Sequence, residues 1–113
     1  MTAATVSERV DAEIAAYDPA ARAASGKIGA STSEHWHSVT LADFEAARIE
    51  PTPVTVNFSG GLTQECWLVT RGGEYRVAFM PRAGYFSLVV TSDIGPLDIG
   101  VHGGAVDCFG AVQ

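Results

Sequence analysis

The chain has 113 residues and 47% apolar content, enough for one domain with a real core. Thirteen acidic against seven basic residues give a formal charge of −6, which excludes duplex nucleic acid and an anionic membrane surface as natural direct partners. Ten aromatics spread from Tyr17 to Phe109 argue against intrinsic disorder.

The N-terminus, Met1-Thr2-Ala3-Ala4-Thr5, lacks a basic segment followed by an apolar one. No stretch approaches the roughly 18 apolar residues of a membrane-spanning helix. Two cysteines, Cys66 and Cys108, sit in strand-like runs, which is not the pattern of a disulfide-dense secreted domain. A cytoplasmic protein with two buried thiols is the expectation.

In chain order, Thr5-Val6-Ser7-Glu8 has the spacing of a capping box. Val6, Val10, Ile14, Tyr17 and Ala21 then recur on one helical stripe. Asp18-Pro19 interrupts that helix and suits the start of a second short one over Ala20–Ala24. Residues 5–24 are therefore expected to be helical. Residues 25–38 are rich in Ser and Gly and read as a connector. Thr40 is the expected N-cap of a further helix over 40–49, with Val39 packing on Phe44 as a staple and Pro51 and Pro53 stopping it.

From Val54 the pattern changes to short runs of β-branched and aromatic residues. Val54, Val56 and Phe58 alternate with polar neighbours, then Gly60-Gly61 turns the chain into Gln64–Thr70. Gly72-Gly73 joins that run to Glu74–Met80, as expected of a hairpin turn needing positive φ. Tyr75, Val77 and Phe79 share one face of this strand and Arg76 takes the other. Tyr85–Thr91 reads as a central strand, Leu97–His102 as the next, and Ala105–Val112 as a last one. The expected architecture over 54–112 is a five- or six-stranded antiparallel sheet, open to strong curling, with the N-terminal helical segments packed on one face. The fold class is α+β.

No catalytic signature stands out. His35 and His37 flank Trp36, and on an extended segment both would point to one side, a geometry for two metal ligands. A zinc site needs more, and no spacing supplies it, so neither a metal nor a cofactor is expected. His102-Gly103-Gly104 lacks the nucleophile elbow that an esterase oxyanion loop requires, and a turn is the simpler role. Cys66 and Cys108 lie in apolar contexts and read as buried small hydrophobes. A disulfide between them stays open at this level.

With no catalytic residue marked, the expected function is an acidic protein-binding module. It would be a stoichiometric inhibitor or adaptor that docks on a basic, nucleic-acid-binding surface of a partner protein. Small phage or mobile-element antagonists of CRISPR complexes and toxin-neutralising immunity proteins work in this way. Lys and Arg are absent after Arg82, whereas Asp93, Asp98 and Asp107 remain. Trp36 and Trp67 are the candidate anchors and these three aspartates the candidate charges, with Trp67 equally suited to the core. The alternative is a small-ligand-binding protein or enzyme with a pocket in the curled sheet, using His35, His37 and His102, with Tyr75 and Tyr85 beside them. Monomer and homodimer are both compatible with this reading.

Overall fold

The computed structural model describes residues 1–24 and 33–112 of the chain. The first part of the expected connector, 25–32, and the terminal residue 113 lie outside the described residues. The elements run α1 (Ala3–Ala16), α2 (Pro19–Ala24), α3 (Glu34–Ala47), β1 (Arg48–Asn57), β2 (Thr63–Thr70), β3 (Tyr75–Met80), β4 (Tyr85–Ser92), β5 (Gly95–Gly103) and α4 (Ala105–Gly110). None of the described helices is long and apolar enough to cross a membrane.

Helix α1 starts one turn before the expected capping box. The hydroxyl of Thr2 accepts the Thr5 amide at 3.2 Å, so Thr2 is the cap and Thr5 lies inside the first turn. Asp18 opens α2 as expected, its carboxylate accepting the Ala20 amide at 3.0 Å. The larger difference is α3. Its cap is Ser33, which accepts the Trp36 amide, and the helix runs through His35, Trp36 and His37. Thr40 is an interior residue whose hydroxyl donates to the Trp36 carbonyl at 2.9 Å. Val39 is 43% exposed and makes no staple.

Strand β1 follows α3 without a linker. The helix ends at Ala47 rather than at 49, so Pro51 and Pro53 do not stop it. They lie inside β1, where the pairing with β2 shifts register between Arg48 and Thr52. Arg48 ties this junction to α1, donating to the Ser7 carbonyl at 3.0 Å and pairing with Asp11 at 2.7 Å.

The sheet is a closed barrel in the order β1-β2-β3-β4-β5, which corrects the expected open or curled sheet. Its strands follow one another as an up-and-down meander. Because their number is odd, the first and last run the same way, and the closing contact is parallel. That seam is a single pair, Asn57 with Leu97. The Asn57 amide reinforces it by donating to the carbonyls of Ile94 at 2.9 Å and Pro96 at 3.1 Å. Gly72 and Gly73 adopt φ of +86° and +66°, as a tight hairpin between β2 and β3 requires.

Alternation along the strands gives two cores. Inside the barrel pack Val56, Cys66, Leu68, Ala78, Met80 and Val89. Outside it, Val69, Val77, Phe79, Phe86 and Leu88 are covered by Val6 and Val10 of α1, Phe44 of α3 and Val106 of α4. The last expected strand is thus the helix α4. Ala105, Val106, Cys108 and Phe109 have helical rather than alternating spacing, and all four face the outer core. Glu13 reaches across from α1 to accept the Ala105 amide at 2.7 Å, capping α4 where Gly104 offers no side chain.

Candidate functional site

Helix α3 carries two unlike faces. Inward, His37, Thr40 and Phe44 are buried, and Phe44 meets Phe109 edge-on at 5.7 Å. Outward, His35, Val39, Ala42 and Ala46 recur at intervals of four, three and four and are all exposed. Glu34, Asp43 and Glu45 are exposed on the same helix, which contains no Lys or Arg. The outward side is a shallow apolar stripe set among carboxylates.

The helical placement changes what the histidine pair can do. Residues two apart on a helix are about 200° apart around its axis, so His35 and His37 diverge. His35 is exposed, whereas the buried His37 hydrogen-bonds through Nδ1 with the Tyr17 hydroxyl at 2.8 Å. Burial raises the Tyr17 hydroxyl above its ordinary pKa, partly offset by the charge of the nearby Arg22. The two imidazoles do not converge. Among the described residues no group of three or more His, Cys, Asp or Glu side chains is placed to hold a metal ion.

The aspartates and tryptophans named from sequence have different fates. Trp36 is half-buried, packed edge-on against His37 at 5.0 Å and close to Gly110 of α4. Trp67 packs against the outer core. Asp107 is ion-paired with Arg22. Asp93 is exposed on the β4–β5 turn beside Ile94, which is 69% exposed. Asp98 is drawn into the barrel wall instead.

The surroundings of Asp98 come from a bulge. Ser87 pairs with His102 and Val89 with Asp98, so two steps along β4 face four along β5. Gly100, at φ +81°, takes up the excess in a conformation that other residues avoid. Four residues along a regular strand span about 13 Å. Here His102 Nε2 lies 3.2 Å from both carboxylate oxygens of Asp98 and donates to them. The fully buried Ser87 hydroxyl donates to Asp98 as well. Tyr85 stacks on the His102 ring at 4.6 Å. Asp98 is the hub of this group, since Ser87 and His102 each bond to the carboxylate. Ser87 is too buried to act as a nucleophile. His102 is held through Nε2. The bulge was not foreseen from sequence, although Gly100 inside an alternating run is the signal that marks one.

Neither thiol is activated. Burial, aided by the charges of Glu65 and Asp98, pushes Cys66 up to about 11, and burial with Glu13 and Asp98 does the same for Cys108. Cys66 lies in the inner core and Cys108 in the outer one, and both are free.

Clefts among the described residues lie beside the helices and the β2–β3 turn. One of about 220 Å³ is lined by Glu13, Tyr17, Asp18, Arg22 and Asp107. Another, of about 310 Å³, is lined by Arg71, Glu74, Tyr75, Leu88 and Phe109 among others. Comparison of the chain with protein-family models, with curated proteins and with solved structures returns no match.

Proposed function

We infer that this protein is a non-enzymatic acidic binding module, a stoichiometric inhibitor or adaptor that docks on a basic surface of a partner protein. The observation that carries this reading is the outward face of α3, where exposed His35, Val39, Ala42 and Ala46 lie among Glu34, Asp43 and Glu45 with no Lys or Arg on the helix. A small apolar stripe offers contact area that excludes water, and its charged surround steers and orients a basic partner. Nucleic-acid-binding proteins carry strongly basic patches, so occlusion of such a surface is the favoured mode, as in anti-CRISPR-like and immunity proteins. Asp93 and Ile94 on the β4–β5 turn provide a second exposed acid and aliphatic side chain.

The test is site-specific photo-crosslinking in lysate of the source cells, with the crosslinker at Val39 of α3 and, as control, at the exposed Thr52 of β1. One basic protein joined from position 39 and not from 52 supports the reading. Equal labelling from both positions, or an acidic adduct, contradicts it.

A second reading, a small-ligand-binding protein or enzyme, is favoured by the bulge-built group alone. Asp98 orients the partly exposed His102 against Tyr85, as a general base is oriented. His35 and His37 take no part in it.

A further inference from the structure

We propose that the inward face of β3–β5 carries a binding site for a small ligand bearing a carboxylate or phosphate group, anchored by the guanidinium of Arg76. Alternation puts Arg76 on the inner side of β3, since Val77 and Phe79 join the outer core while Ala78 and Met80 join the inner one. Its neighbour across β4 is Val89, and the residue beyond Val89 on β5 is Asp98. Arg76 and Asp98 thus stand in one row of the barrel wall, about 10 Å apart at the backbone by the spacing of strands. They do not pair. Asp98 is already satisfied by Ser87 and His102.

Arg76 differs from every other partly buried arginine of the chain. Arg22 pairs with Asp107, and Arg48 pairs with Asp11 and Ser7. Arg9, on the surface, still donates to the Gly84 carbonyl at 2.7 Å. The Arg76 Nε is shut off from solvent with no acceptor, and it is the one buried side-chain nitrogen or oxygen so placed among the described residues. A shielded donor of a permanent cation is costly unless an acceptor reaches it, and folded proteins retain such groups mainly where a ligand, ion or water completes them.

Backbone pairing is also sparse beside it. Ladder pairing between β2 and β3 covers only Trp67–Phe79 and Leu68–Ala78. Beyond that point the Val77 amide is met by the Thr70 hydroxyl, at 2.9 Å, in place of a backbone carbonyl. Arg76 directly precedes Val77, at the end of this pairing. The occupant that fits a guanidinium with a free Nε–H is a planar or tetrahedral oxyanion able to take Nε and a terminal nitrogen together.

The experiment follows the Arg76 Nε–H resonance of the ¹⁵N-labelled protein, titrated with sodium phosphate and, separately, sodium acetate at ionic strength held constant with sodium chloride. The expected result is a saturable shift of that resonance with at least one of the two anions, accompanied by a rise in melting temperature. Saturation with phosphate alone assigns a phosphate-bearing ligand, and with acetate alone a carboxylate-bearing one. Arg76→Lys, which keeps the charge and loses the fork, should abolish the melting-temperature rise, whereas Arg71→Lys at an exposed position should preserve it. The absence of a saturable shift with both anions overturns the proposal, and so does an undiminished rise in Arg76→Lys. The measurement on the wild-type protein decides even if a variant folds poorly.

Discussion

Asp98 shows how much one glycine decides. Without Gly100 in the left-handed region, β5 would run straight and His102 would lie far from the carboxylate it now donates to. Gly100→Ala forces a side chain into a disfavoured conformation and should cost about 1–2 kcal/mol. It should also move His102 away from Tyr85, so loss of the ring-current shift on the His102 protons is the check, and an unmoved His102 would contradict the bulge account. The thiols give a second residue-scale prediction. An unfolded cysteine titrates near 9.0, whereas Cys66 and Cys108 are held at about 11 in the fold. The native state therefore keeps protons that the unfolded chain has lost. Stability is complete below the lower value and falls as pH rises from 9 to 11, by at most about 2–3 kcal/mol per thiol. Urea unfolding across that window should show a shallower decline in the Cys66→Ala/Cys108→Ala protein than in wild type; equal slopes would mean the thiols are not the cause. Little of this was legible in the sequence. Apolar neighbours marked both cysteines as buried, but nothing near Asp98 announces that it turns inward, because a bulge breaks the period-two rule that assigns faces.

At the scale of elements, the helices α1 and α2 were readable because their stripe of Val6, Val10, Ile14 and Tyr17 and the Asp18-Pro19 break are local signals. The start of helix α3 is ambiguous in the sequence. Ser33 and Thr40 both qualify as caps, and the Ser/Gly-rich stretch before it hides the first turn, whereas Thr40 in the structure bonds back into the helix. Helix α4 was missed because Gly103-Gly104 and the strand-forming residues Val106 and Phe109 resemble another hairpin arm. Its identity depends on a distant residue, Glu13, which supplies the missing cap. The α3–α4 contact is close. A Cβ at Gly110 would lie 3.1 Å from Thr40 Cγ2 and 3.3 Å from Trp36 Cη2. Gly110→Val should therefore push the helices apart and destabilise the protein by about 1–3 kcal/mol, read by chemical denaturation. A neutral result would show that the two helices are not held in contact.

For the whole molecule, hydropathy carried the class of fold but not its closure. The alternating runs of β1–β5 indicate strands, yet whether a five-stranded meander stays open or closes depends on a contact between residues forty apart, Asn57 and Leu97. Since the parallel seam is one pair plus the Asn57 side chain, Asn57→Ala should remove two hydrogen bonds and cost about 1–3 kcal/mol. Amide exchange at the β1–β5 seam should accelerate more than within β3–β4, and uniform acceleration would contradict a local seam. The net charge, by contrast, was plain from composition, while its placement required the fold. Asp107 and Asp98 are consumed by internal partners, and the exposed carboxylates of α3 stand out instead.

That distribution is the centre of the functional account, and affinity capture from source-cell lysate with the tagged protein tests it most directly, with washes at low and high salt. One stoichiometric protein retained at low salt, released at high salt, and lost from the Glu34→Lys/Asp43→Lys/Glu45→Lys variant is the predicted result. Capture of no protein, or of one that survives both high salt and the triple charge reversal, would contradict it.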